Sequence, residues 1–190
     1  MEKIFFRGEN IISYIKALGA TNCRFIPSNL LVPDEKIRKY CYENVCGCYN
    51  KHLTCPPNIG TIAEIKERLA GFNNVILIQY SENIDVQNDK SGLIRTKLKL
   101  HDIILKTEKY LEGFFKAEDL WGMIGGNCSL CDECAGFIGE ECRYPDKART
   151  SMEAIGIDVI AILKSLNLDS AFHKDMIIWT GAVLVRGEIT

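Results

Sequence analysis

The sequence predicts an α/β or α+β fold: a small sheet sandwiched with helices, with two cysteine-rich loops at one edge. Two apolar runs carry the sheet. Val75-Ile76-Leu77-Ile78-Gln79-Tyr80 is short and β-branched, and Met176-Ile177-Ile178-Trp179 with Ala182-Val183-Leu184-Val185 reads as a strand pair or one strand bent about Gly181. Segments with apolar residues at helical spacing lie before and between these runs. Eight of the nine cysteines fall in two tight groups outside the strands.

The elements follow in order. Ile11, Tyr14, Ile15 and Leu18 share one face of a helix over 9–19 that stops at Gly19. Pro33 with Asp34 and Glu35 forms the first turn of a second helix running into Cys41. Pro27 and Pro33 fence the segment between the two as irregular or extended. Thr61-x2-Glu64 is a capping box, and Ile62, Ile65 and Leu69 continue it as a helix to Gly71. The strand over 75–80 is bounded by Asn73-Asn74 and Ser81, and the polar stretch 82–92 is an exposed loop. Apolar positions 100, 103, 104, 111, 114 and 115 predict a helix over 98–115, and a further helix covers 152–166. No linker divides the chain, so residues 1–190 read as one domain carrying two loops, 41–55 and 125–145.

Composition narrows the function. The chain is 47% apolar and 25% charged, ordinary for a globular protein. A net charge of −2 offers no basic surface for nucleic acid, and Lys97-Leu98-Lys99-Leu100 reads as a helix face in water. The apolar run in residues 1–7 is too short for a signal peptide, and no stretch approaches a membrane span. Both point to the cytoplasm, where clustered thiols serve metal or catalysis rather than disulfides. There is no Gly-x-Gly-x-x-Gly fingerprint and no phosphate loop. Asp102, Glu108, Glu112, Glu118 and Asp119 read as the wet face of a helix, and Trp121 and Trp179 as core.

The cysteines carry the chemistry. The first group is Cys41-x4-Cys46-x-Cys48-x6-Cys55-Pro56-Pro57; the second is Cys128-x2-Cys131-x2-Cys134-x7-Cys142. Thiolates are soft donors that select zinc or iron–sulfur over hard cations. Three cysteines at two-residue gaps match the start of a ferredoxin-type motif and can reach three corners of one [4Fe-4S] cubane. Zinc, the alternative, usually takes two separated Cys-x2-Cys pairs. Gly47 bends the chain between Cys46 and Cys48, and Gly125, Gly126, Gly136 and Gly139 surround the second group. Each group is followed by Thr-x-x-Glu, Thr61 to Glu64 and Thr150 to Glu153, as if each loop were handed to a helix N-terminus. His52 reads as a solvated residue with ligation as the minor alternative. Cys23 stands apart and packs as a small hydrophobe.

The motifs Cys46-Gly47-x-Tyr49-x5-Cys55-Pro56-Pro57 and Gly125-Gly126-x-Cys128-x-Leu130-Cys131-x2-Cys134, continuing through Cys142-Arg143-x-Pro145-x2-Ala148-Arg149-x-Ser151-Met152-Glu153-Ala154-x-Gly156-Ile157-Asp158-Val159, resemble a bacterial and archaeal family of predicted metal-binding proteins, a domain of unknown function. The resemblance spans most of the chain; Thr150 stands where that family's pattern would have proline. It implies metal binding through these cysteines and implies no reaction. The leading expectation is two iron–sulfur clusters of the [4Fe-4S] type passing electrons to a redox partner protein. A reductase or sulfur-handling enzyme with an open iron is the second, in which Arg143, Lys147 and Arg149 hold an anionic substrate; their bland role is a solvated basic turn balancing Glu140 and Glu141. A structural zinc protein is the third.

Overall fold

The computed structural model describes residues 8–189; residues 1–7, read above for leader character, lie outside the described residues. Among the described residues there are five α-helices and four strands: α1 (Gly8–Ala17), β1 (Asn22–Pro27), α2 (Glu35–Tyr42), α3 (Ile62–Leu69), β2 (Asn74–Asn83), α4 (Lys90–Leu111), β3 (Leu120–Met123), α5 (Val159–Ser165) and β4 (Met176–Val185). The sheet order is β1-β2-β4-β3 and every neighbouring pair is antiparallel, so the fold is α+β.

Successive strand residues face opposite sides of a sheet, and here both sides are covered. Val75 and Leu77 enter one core with Trp121, Met123, Ala182 and Leu184, closed by Ile65 and Leu69 of α3 and Ile162 and Leu163 of α5. Ile76 and Ile78 enter the other with Val183 and Val185, closed by Ile11 and Ile15 of α1 and Leu100, Ile103 and Ile104 of α4. This explains why residues 75–78 are apolar without alternation. Ile76 and Ile78 are fully buried, and each contributes roughly 2 kcal/mol through burial.

Local chemistry sets several boundaries as expected. Gly19, at φ +104°, follows α1. Both halves of the Thr61 capping box form: Glu64 N donates to Thr61 Oγ1 at 3.3 Å and Thr61 N donates to Glu64 Oε2 at 2.7 Å. A cap of this kind is worth about 1 kcal/mol. Asp34, rather than Pro33, opens α2, its carboxylate accepting from Lys36 N at 2.8 Å.

Other boundaries differ from the sequence reading. The helix expected over 152–166 shrinks to α5, capped by Asp158, which accepts from Ala161 N at 2.8 Å. Thr150 caps nothing; its hydroxyl donates to Thr54 O at 2.8 Å. The cause is tertiary. Ser151 forms a parallel bridge with Ile124, Met152 N donates to Ile124 O, and Gly156 takes φ +87° against Ile62 and Asp34. The second cysteine loop is therefore not handed straight to a helix N-terminus.

Helix α4 begins at Lys90, inside the stretch read as loop, because Asp89 accepts from Gly92 N at 2.8 Å. It ends at Leu111, before Phe114 and Phe115. Strand β4 is continuous through Gly181, where a Cβ would lie 2.5 Å from Met123 O of β3. β1 and β3 were hidden in sequence. One is interrupted by Asn22 and Arg24 and the other is only four residues long.

Candidate metal centre

The first cysteine loop leaves α2 at Cys41 and reaches Thr61 at the start of α3. Asn50 N donates to Pro56 O at 2.8 Å across it, and Tyr49 N to Asn44 Oδ1 at 2.9 Å. Gly47, at φ +73°, supplies the left-handed bend between Cys46 and Cys48 that a side chain would resist. The second loop leaves the edge strand β3, and its ends are clamped where Ile124 N donates to Thr150 O at 3.0 Å.

The two loops are packed on one another. A Cβ on Gly136 would run into the carbonyl oxygen of Lys51, so the turn Ala135–Ile138 lies directly on the peptide between Cys48 and Cys55. The rings of His52 and Phe137 meet edge-on at 5.3 Å, and Lys51 Nζ sits 5.2 Å from the Phe137 centroid. Cysteines separated in sequence by α3, β2, α4 and β3 thus share one neighbourhood.

All eight loop cysteines are free thiols; those of each loop act on one another, and Cys134 acts on both loops. Burial, then the charges of Cys48, Cys46, Cys41 and Cys134, pushes the Cys55 thiol up to about 12. Burial and then Cys46 raise Cys48 to about 11, and Cys134 adds to it from the other loop. Burial and then Cys46 raise Cys41, while Arg38 pulls it down. In the second group burial raises Cys128, an amide at Leu130 opposes it, and Cys142, Cys131 and Cys134 add to it. Those four thiols line one narrow cavity of about 20 Å³ with His52 beside them. Among the described residues, no three His, Cys, Asp or Glu side chains stand grouped so as to hold a metal ion.

Charge and hydrogen-bonding capacity collect around the thiols. Lys97 is set between the groups: its ammonium feels Cys48, Cys128 and Cys46, donates to Asn127 Oδ1 at 2.9 Å and Ser129 Oγ at 3.1 Å, and lies 5.5 Å from the Trp179 centroid. Burial nonetheless lowers its affinity for the proton. Among the described residues, the buried side-chain nitrogens and oxygens without a hydrogen-bond partner are Arg38 Nε and Nη2, His52 Nδ1 and Glu153 Oε2. Arg38 and Glu153 both act electrostatically on Cys41, and His52 lies between Cys48 and Cys55. Burial, then Lys97, lowers the His52 imidazole, so it is half-buried and neutral-leaning rather than solvated.

The basic residues after Cys142 have other work. Arg149 makes a two-point contact with Glu108, Nε to Oε2 at 2.9 Å and to Oε1 at 3.2 Å. Glu108, expected on a wet helix face, is buried and also accepts from Gly122 N at 2.8 Å. Gly122 makes this possible, since a Cβ there would lie 2.5 Å from the Glu108 carboxyl carbon. Arg143 donates to Glu133 O at 2.7 Å, and Lys147 is exposed. Arg143 and Arg149 thus bond to partners other than Glu140 and Glu141. Cys23 is buried in β1 and donates to Ile12 O at 3.7 Å, a packed thiol as expected.

Arg38, Lys97 and Glu153 escaped the sequence reading. Arg38 and Glu153 carried a faint signal, Arg38 standing three residues before Cys41 and Glu153 within the motif that runs from Cys142 to Val159; Lys97, expected on a helix face in water, is instead partly buried beside the thiols.

Fold and site together define an α+β protein that gathers eight thiols on two mutually packed loops. Residues 24–185 match the family model described as "Predicted metal-binding protein (DUF2284)", and the chain belongs to that family. Comparisons with curated proteins and with solved structures return no significant match. Among the described residues, no helix is long and apolar enough to cross a membrane.

Proposed function

We propose that the protein holds two iron–sulfur clusters, one on Cys41, Cys46, Cys48 and Cys55 and one on Cys128, Cys131, Cys134 and Cys142, and exchanges electrons with a redox partner protein. The observation that carries this reading is where the unpartnered buried atoms fall: Arg38, His52 and Glu153 all abut the cysteine loops. Buried guanidinium nitrogens without an acceptor, here Arg38 Nε and Nη2, are costly, and an anionic thiolate-ligated centre would supply one. The donor set fits in kind, because thiolates are the usual ligands of such clusters and the Cys-x2-Cys-x2-Cys run suits one cubane.

Bound clusters of this type supply one-electron chemistry. The chain's own residues would hold and tune them. Lys97, between both groups, offsets negative charge on each side. Arg38, which acts electrostatically on Cys41, would donate to a cluster on the first group. Loop amides and His52 offer further donors. The cavity between Cys128, Cys131, Cys134 and Cys142 is narrow, so these thiols would have to move apart to hold a cluster and would give up their protons to do so.

Purification without oxygen, with iron, acid-labile sulfide and zinc measured per chain, tests the proposal. Iron and sulfide in equal amounts, with a visible band bleached by dithionite, are the expected result. Zinc alone would instead make this a structural zinc protein. A second reading, an enzyme whose first cluster faces substrate, is favoured by one observation: Cys41 and Glu153 share the wall of an apolar cavity.

A further inference from the structure

That cavity measures about 500 Å³ and is built from α2, α5, the start of β4 and the 169–173 segment, with the turn at Gly125 and Gly126 beside Cys41 at one side. Its size falls in the range of small-molecule pockets, and its walls are mostly apolar, Ile157, Leu163 and Trp179 among them. Phe172, at its rim, is 94% exposed, leaving apolar surface that an occupant would help cover.

The polar groups in the wall are mostly spent. Asp158 caps α5, and Asp169 accepts from Ala171 N at 2.9 Å and contacts His173 Nε2 at 2.8 Å. Glu153 Oε2 is buried with no partner. No lysine or arginine is among the lining residues, so an anionic ligand would meet no counter-charge.

We propose that this cavity binds a small uncharged ring compound, its apolar body against Trp179, Ile157 and Leu163 and its single hydroxyl group donating to Glu153. Glu153 Oε2, buried without a partner in the cavity wall, is an acceptor that a ligand hydroxyl can satisfy. The cavity stands whatever metal the cysteines bind; the inference rests on the proposed function only in placing the ligand beside the first cluster.

The probe is 2-naphthol, compared with naphthalene and 2-naphthalenesulfonate, in equilibrium dialysis against the oxygen-free protein, with iron and sulfide measured on the same samples. One 2-naphthol per chain, with naphthalene weaker and the sulfonate unbound, is expected. Glu153→Leu should cut the preference for 2-naphthol over naphthalene by about tenfold, the loss of one buried hydrogen bond. Ile160→Trp and Ala171→Trp, each filling the cavity from a side that is not fully buried, should abolish binding. In reduced, iron-loaded protein, 2-naphthol should shift the electron paramagnetic resonance of one cluster. Iron-loaded protein that does not bind 2-naphthol, or binds the sulfonate equally well, overturns the inference and leaves the clusters standing. Binding to protein that never holds iron overturns the clusters and leaves the cavity. Binding without a change in resonance overturns the placement beside a cluster.

Discussion

Gly136 lies against the carbonyl of Lys51 so closely that no side chain fits between them, with Leu53 Cγ only 3.1 Å from the same Cβ position. One glycine thus joins two cysteine loops whose thiols are separated in sequence by α3, β2, α4 and β3. Gly136→Ala must push the loops apart, at a cost of about 1–3 kcal/mol typical of overpacking. The expected outcome is a lower melting temperature and weaker magnetic interaction between the two reduced clusters. An unchanged melt would show that the loops can yield there freely.

The grouping of thiols can be checked one loop at a time. Cys55→Ala should remove the first cluster and leave the second, lowering iron from about eight to about four per chain. Cys131→Ala should do the converse. If either substitution emptied both loops, the thiols would belong to a single shared centre.

The Arg149 and Glu108 pair is structural. The side chains are only 21% and 10% exposed, and Glu108 also holds Gly122 of β3. Arg149→Met leaves a carboxylate buried without its cation and should cost about 3 kcal/mol in urea unfolding. Iron content per folded chain should stay unchanged, which separates this role from substrate binding.

His101 gives stability a pH dependence. Burial lowers its imidazole, outweighing the bond to Lys147 O at 2.8 Å, in which neutral Nε2–H donates. The unfolded chain therefore binds the proton more readily, and stability rises with pH. The His101 contribution is full above the ordinary imidazole value near 6.5 and is lost as pH falls below it. His101→Gln should flatten the unfolding midpoint between pH 7 and pH 5, a range set by that ordinary value.

Glu82 acts further down the scale. Hydrogen bonds from Arg95 and then Tyr80 hold its carboxyl down at about 2. Its contribution is present above the ordinary carboxylate value and is lost as pH falls towards about 2. Nuclear magnetic resonance titration of Glu82 should find it ionised at pH values where other exposed glutamates are protonated. Arg95→Gln should bring it back towards them.

Sequence alone determined the elements whose information is local. The capping box at Thr61, the apolar run over 75–78 and the period of α4 each follow from residues within a few positions of one another. The cysteine spacing belongs to the same class, since ligand geometry within a loop is a short-range matter. Tertiary structure decided the rest. The bridge between Ile124 and Ser151 unmade the helix expected from Thr150. The glycine at 122 let Glu108 turn inward to Arg149. Arg38, Lys97 and Glu153 became neighbours of the thiols only because α2, α4 and the second loop converge. Contacts between residues far apart in the chain leave no periodic trace, and packing rather than propensity chooses them.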